Sequence, residues 1–186
     1  MCFFAIFMTL VSYSSDNKES SDPKPIKLEL YSNISDSTLT NIRDVISSDI
    51  ESRGDIDELN CFNAVAPLIA DGENIQAQIL DQISTEATPE YIDFFSNLSN
   101  EDLVALSFII YATTQNDTEC SSRSINTDRL LHCAGVAIGY DAIKKLAVGE
   151  IVTAATIRQA LVAIGKRYLG YIGLAIMVYD FVECIS

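Results

Sequence analysis

The stretch from Cys133 to Cys184 most constrains what this chain can fold into, because it is apolar, glycine-rich and closed by a cysteine at each end. It holds six of the eight glycines of the chain. Small residues three or four positions apart share one helix face and let two helix backbones approach closely. We therefore expect a disulfide-closed helical hairpin here. Its predicted helix close-contact positions are Gly135, Gly139, Gly165, Gly170 and Gly173.

Three helices are predicted within this stretch. The first carries Gly135 and Gly139 on one face and ends at Gly149. The second, Ile151 to Lys166, is amphipathic, and its buried stripe is predicted to be Ala154, Ile157, Ala160, Leu161 and Ile164. The third carries an uncharged run from Tyr168 to Tyr179. Twelve helical residues span about 18 Å, less than the roughly 30 Å core of a bilayer. We expect this helix to be buried in the protein. A transmembrane helix, or a segment that enters a membrane after rearrangement, remains an alternative.

The region from residue 27 to residue 122 shows a series of helix starts and stops. Gly54 is expected to end the first helix, and Pro67 is expected to bend or end the second. Asp71-Gly72 is expected to form a break before the next helix. Leu103 to Thr113 is apolar on most faces and is predicted to be central in this half. The predicted helix starts are Ser35 or Asp36, Asp55, Thr88-Pro89-Glu90, and a capping box formed by Ser99 and Asp102.

These patterns predict an all-α fold, because no strand-type alternation of any length competes with the helical periodicity. We expect a compact multi-helix bundle. In it, acidic amphipathic helices pack on the glycine-rich, apolar C-terminal helical hairpin.

The charge of the chain is unevenly distributed. Its formal net charge is −14. Residues 14–122 hold 21 acids and 5 bases, a balance of −16, whereas residues 123–186 hold 5 acids and 7 bases, a balance of +2. Binding to a phosphate backbone requires Lys and Arg rather than surplus carboxylates, so we expect no nucleic-acid partner.

The N-terminus has the features of an export signal. Cys2 to Val11 is an uncharged run of ten residues, the length of a signal-peptide core. The sequence LVSYSSDN, Leu10 to Asn17, resembles the lipobox and export signal of bacterial lipoproteins. Tyr13 stands where the acylated cysteine of that family would be, and a thioether to lipid requires the sulfur. The resemblance therefore implies export without a lipid on this residue.

This interpretation gives four regions and a location. They are a signal peptide (1–13), a flexible tether (14–26), an acidic helical region (27–122) and a glycine-rich apolar helical module (123–186). The expected location is the periplasm, the outer envelope or the extracellular space.

Four cysteines follow the predicted signal: Cys61, Cys120, Cys133 and Cys184. In an exported chain they predict two disulfides. We favour Cys61–Cys120 and Cys133–Cys184, with Cys120–Cys133 as the alternative. No CxxC pair is present, so the sequence predicts no metal site and no cofactor.

A catalytic constellation is not apparent in the sequence. His132 is the one histidine, and adjacent helical residues diverge by about 100°, so His132 and Cys133 are not expected to face each other. No glycine-rich phosphate loop, GxSxG elbow or HExxH motif is present. We predict no catalytic residues and no enzymatic activity.

The function expected from these observations is that of an exported, non-enzymatic cell-envelope protein that acts as a binding or structural module. The first alternative is a bacteriocin-like, membrane-active protein whose acidic N-terminal part masks the C-terminal module. The second alternative is an enzyme that the motifs do not reveal. A membrane surface or an envelope protein is the candidate partner, and the oligomeric state is open.

Overall fold

A computed structural model describes residues 27–52, 55–84, 87–114, 127–138 and 152–186. The predicted signal peptide and tether lie outside these ranges. The described residues form helices without a β-sheet, which confirms the predicted all-α fold. The seven helices of the described ranges are α1 (Asp36–Glu51), α2 (Glu58–Ile83), α3 (Pro89–Ser96), α4 (Asn100–Thr114), α5 (Thr127–Ile138), α6 (Ala154–Arg167) and α7 (Gly170–Ile185).

Two helices form the centre of the bundle. Helix α4 packs against α2, α5, α6 and α7, and every residue from Leu103 to Ala112 is buried. Helix α7 packs against α1, α2, α4 and α5. The acidic helices α1 and α2 therefore lie directly on the apolar C-terminal helix, and the core is shared between the two halves of the chain.

The predicted helix ends at Pro67 and Asp71-Gly72 are wrong, because α2 includes these residues. It begins after Asp57, not Asp55, and runs without a break through all three residues. Proline in a helix interior costs about 3 kcal/mol, and glycine about 1 kcal/mol relative to alanine. Burial of the apolar stripe of α2 offsets these local penalties, since it removes a continuous row of side chains from water. Its buried apolar residues are Cys61, Ala64, Val65, Leu68, Ile75, Ile79 and Ile83.

Several predicted helix starts are confirmed. Ser35 precedes α1 and its hydroxyl accepts a hydrogen bond from Thr38 N at 3.3 Å. The predicted capping box is formed: Asp102 N donates to Ser99 Oγ at 3.2 Å, and Ser99 N donates to Asp102 Oδ2 at 3.1 Å. Helix α3 begins at Pro89 after Thr88, as predicted.

Helix α6 has the predicted buried stripe, although it begins at Ala154 rather than Ile151. Thr153 caps it, because Thr156 N donates to its hydroxyl at 3.1 Å. The axis turns by 109° between α6 and α7, and the partner of α7 within the C-terminal part is α5. Within the described ranges, no helix on its own reaches the length and apolarity needed to cross a bilayer, but α6 and α7 together meet that criterion as one bent pair.

Residues 27–34 form an extended segment, here called the strap, which precedes the first predicted helix. Its side chains alternate: Leu28 and Leu30 are buried, whereas Glu29 and Tyr31 are exposed. Leu28 N donates to the carbonyl oxygen of Val152 at 2.8 Å. The strap therefore connects the start of the described chain to the segment that precedes α6.

Candidate functional site

A groove of about 550 Å³ lies between α1 and α2. It is lined by side-chain amides, carboxylates and a hydroxyl, with a small apolar floor. The amides and hydroxyl can donate and accept hydrogen bonds, and the carboxylates can accept them from a cationic group. Its lining residues are Asn41, Asp44, Val45, Ser48, Asp49, Asn60, Asn63 and Ala64.

The two carboxylates of this groove already have protein partners. Asp44 Oδ1 lies 2.7 Å from a terminal guanidinium nitrogen of Arg43, an exposed pair of little net strength. Asp49 Oδ2 accepts a hydrogen bond from Asp57 N at 3.3 Å, which ties the end of α1 to the cap of α2. No histidine or cysteine is among the described lining residues. The groove is therefore suited to holding a polar ligand by hydrogen bonds.

The buried carboxylate of Asp71 joins three parts of the fold. It accepts hydrogen bonds from Asn33 N at 2.7 Å, from Ser32 Oγ at 2.8 Å and from Ser107 Oγ at 2.8 Å. The strap, α2 and α4 thus meet at one side chain. Burial of a charge is tolerated where hydrogen bonds replace water, and these three bonds supply that replacement. We assign Asp71 a structural role.

Two glutamines of α2 hold the strap as a neighbouring β-strand would. Gln82 accepts from Glu29 N at 2.9 Å and donates to Glu29 O at 2.8 Å. Gln78 makes the same two bonds to Tyr31, at 3.0 Å and 3.2 Å. Four residues of helix advance about 6 Å and two residues of strand about 6.7 Å. The spacing of Gln78 and Gln82 along α2 therefore matches the spacing of Glu29 and Tyr31 along the strap.

The disulfide Cys133–Cys184 is present and joins α5 to the last turn of α7, as predicted. Arg129 adds a second link between the same helices, because its Nε and one terminal nitrogen donate to Cys184 O at 3.3 Å and 3.0 Å. With Cys133 paired to Cys184, the alternative Cys120–Cys133 bridge is not formed.

The predicted Cys61–Cys120 bridge is wrong, since Cys61 is a free cysteine buried in the core; Cys120 lies outside the described residues. Spacing along the sequence could not show that Cys61 faces inward on α2. Burial raises the pKa of the Cys61 thiol, and the nearby carboxylates of Asp49, Asp57 and Glu58 raise it further. A neutral thiol packs there as a small apolar group.

The predicted close-contact glycines behave differently from one another. The predicted close contact at Gly165 is wrong, because a Cβ at this position would have no neighbour within 4 Å. Gly170 has φ +68°, so it is needed for the backbone turn into α7, and its hypothetical Cβ would approach only Glu58 Oε1, at 4.0 Å. A Cβ on Gly173 would lie 3.3 Å from Tyr168, so this glycine packs closely against the segment between α6 and α7. Gly135 is buried on α5, and Gly139 lies outside the described residues.

The tight helix contact is at Gly72, where the sequence pattern predicted a break between helices. A Cβ on Gly72 would lie 2.7 Å from the carbonyl carbon of Leu103 and closer still to its oxygen. Helix α2 therefore meets the backbone of α4 at this residue. The sequence signal that could have found it is the buried periodicity of α2, which continues through Gly72 to Ile75 and Ile79.

His132 lies exposed on α5, and the adjacent Cys133 is held in the disulfide. A dyad in which a Cys133 thiolate acts as nucleophile is therefore ruled out, because the sulfur is already bonded. Among the described residues, no group of three or more histidine, cysteine or acidic side chains is arranged to hold a metal ion.

Comparison of the chain with protein-family models, with curated proteins and with solved structures finds no match.

Proposed function

We propose that this protein acts after export, in an oxidising compartment, as a non-enzymatic binding or structural module of the cell envelope. The observation that supports this proposal is the disulfide between Cys133 and Cys184. Disulfides persist in exported proteins and are rare where thiols are kept reduced. The signal-like sequence at residues 1–13 favours the same location.

The polar groove between α1 and α2 supports a binding role. Its amides, hydroxyl and carboxylates offer many hydrogen bonds over an apolar floor of Val45 and Ala64. Such a surface suits a polar partner, because each hydrogen-bonding group of the ligand finds a donor or acceptor.

Thiol trapping in cells of the source organism tests the location. Cells are lysed directly into a denaturing alkylating reagent, and the protein is digested and examined by mass spectrometry. We expect alkylated Cys61, together with unmodified Cys133 and Cys184 linked in one peptide pair, and an N-terminus beyond residue 13. Full alkylation of all three cysteines would contradict the proposal. A sample reduced before alkylation serves as the control.

The membrane-active alternative is favoured by one specific observation: α6 and α7 together have the length and composition of a bent membrane span. Helix α7 is covered by α1 and α2, which belong to the acidic part. In this alternative, the acidic helices mask α7 until they are removed.

Dye leakage from anionic vesicles tests this alternative. A fragment of residues 123–186 with oxidised cysteines is compared with the same fragment mixed with residues 27–122. Leakage by the fragment that the acidic part suppresses would support masking. A folded, soluble fragment that releases no dye would eliminate it.

A further inference from the structure

We propose that the corner between α6 and α7 is a contact site for an anionic lipid surface. This corner, here called the apolar corner, comprises residues 166–171 with the neighbouring Leu59 and Phe62 of α2. The inference deepens the proposed envelope function by naming its partner surface. It depends on the proposed export only for the cellular location of the membrane that the protein contacts.

Two leucines make the corner apolar. Leu169 is 81% exposed and Leu59 is 66% exposed, although both are fully apolar side chains. Single exposed leucines are common, but these two flank one packed contact. Phe62 and Tyr171 meet edge to face with ring centroids 4.9 Å apart, and a Cβ on Gly170 would lie 4.0 Å from Glu58 Oε1. The ends of α2 and α7 therefore form one surface.

The residues on both sides of Leu169 are anchored to the rest of the fold, and this anchoring supports its outward position. The hydroxyl of Tyr168 donates to Ala137 O at 2.7 Å, which anchors the residue before Leu169 to α5. Gly170 follows with φ +68°, and a Cβ on Gly173 would lie only 3.3 Å from Tyr168. An apolar side chain held outward in this way loses little conformational freedom when it inserts among acyl chains.

Two cations stand beside the leucine. Lys166 and Arg167 are exposed in the last turn of α6, and among the described residues neither forms a salt bridge. The guanidinium carbon of Arg167 lies 5.2 Å from the centre of the Tyr168 ring. Lys, Arg and Tyr beside an exposed aliphatic residue are the composition of a membrane interface, where cations reach lipid phosphates and rings lie at headgroup depth.

The acidic character of the protein does not prevent this contact. Glu58 is beside Gly170, and Asp180, on α7, interacts with Arg167. Asp57, which caps α2 directly before Glu58, is a third acid at this corner. These three acids weaken the attraction of the corner for anionic lipid, so insertion of Leu169 supplies most of the binding. The many acids farther away are screened at physiological salt, where the Debye length is about 8 Å.

Flotation of the full-length, oxidised protein with vesicles tests the proposal. The vesicles are made of phosphatidylcholine with phosphatidylglycerol, and of phosphatidylcholine alone. We expect the wild-type protein to float with the mixed vesicles. Leu169→Asp should lower the partition coefficient about tenfold or more. Lys166→Glu should lower it about fivefold on the anionic vesicles, because it reverses one charge near the surface.

Tyr31→Asp is the matched control. Tyr31 is 69% exposed on the strap and pairs with Gln78, which is about 28 Å along α2 from Leu59. Its binding should equal that of wild type, and circular dichroism should show that all variants are folded. Wild-type protein that does not float, or equal loss of binding in Tyr31→Asp and Leu169→Asp, would overturn the proposal. Because the assay uses purified protein and measures binding, its failure would leave the export proposal and the leakage test unaffected.

Discussion

Two helix contacts in this molecule are held together by different means. Helix α2 meets α4 through close backbone packing at Gly72, beside the buried carboxylate of Asp71. Helix α5 is linked to α7 by a disulfide and by the guanidinium of Arg129. The α2–α4 contact is long, and one of its partners is buried over ten consecutive residues. Among the α5 side chains that the structure describes, those in the core are three small residues and one isoleucine: Cys133, Ala134, Ala137 and Ile138.

The difference shows where a covalent bond is needed. Helix α4 buries large side chains on all sides, and the hydrophobic effect is its main source of stability, without a covalent link. The described core residues of α5 are mostly small, and its attachment to α7 is reinforced by the disulfide, which restricts the unfolded chain. Four predictions test this comparison.

Removal of the disulfide should have the largest effect. The bridged cysteines are 51 residues apart. Closing a loop of that length restricts the unfolded chain by roughly 4 kcal/mol, so Cys133→Ala/Cys184→Ala should lower the free energy of unfolding by about that amount. Urea denaturation measures the change. A reducing agent should destabilise the wild type and leave the double variant unaffected. A loss below about 1 kcal/mol would mean that packing alone holds α5.

Asp71→Ala should be next, with a loss of roughly 3 kcal/mol. It removes the acceptor for Ser32, Asn33 and Ser107, and the Ser107 hydroxyl would remain buried without its partner. The same urea titration measures the loss. Asp102→Ala is the control, since it removes one half of an exposed capping box and should cost about 1 kcal/mol. Equal losses in the two variants would contradict the central role of Asp71.

Gly72→Ala should cost about 2 kcal/mol, because a methyl group would be forced against the backbone of Leu103. Gly165→Ala provides a matched control in another helix. Its methyl group meets open space, and alanine is the better helix former, so this variant should gain about 0.5–1 kcal/mol. Thermal unfolding of both variants gives the comparison. Stabilisation by Gly72→Ala would show that the two helices can separate at no cost.

Tyr111→Phe should have the smallest effect at neutral pH, a loss of about 1 kcal/mol. The Tyr111 hydroxyl donates to Asp36 Oδ1 at 2.7 Å and links α4 to α1. Burial raises the pKa of Tyr111 above its usual value of 10, and the bond to the Asp36 carboxylate raises it further.

The pH dependence of this variant follows from the raised pKa. Above pH 10 the unfolded state releases the Tyr111 proton while the folded state keeps it. The contribution of Tyr111 to stability is therefore complete below pH 10 and falls as pH rises above it. The advantage of wild type over Tyr111→Phe should shrink between pH 9 and pH 11 in urea titrations. A constant difference would contradict this assignment.

The helical fold and much of its detail could be predicted from the sequence. The cap at Ser35, the box at Ser99 and Asp102, and the buried stripe of α6 are local features, because each depends on residues within one or two turns. The pair Cys133–Cys184 was also predicted. The candidate groove was not, since it is formed by residues of two helices whose relative position the sequence does not show.

The sequence by itself determined that the chain is helical and where α1, α3 and α4 begin. The tertiary structure decided that α2 continues through Pro67 and Gly72, because burial of its stripe outweighs local penalties of a few kcal/mol. It also decided which glycines matter: Gly72 contacts the backbone of α4, whereas Gly165 faces open space. Because glycine has no side chain, its residue type does not indicate whether it is buried or what it contacts. Its role is set by the neighbour that approaches it, and that neighbour is fixed only when the helices pack.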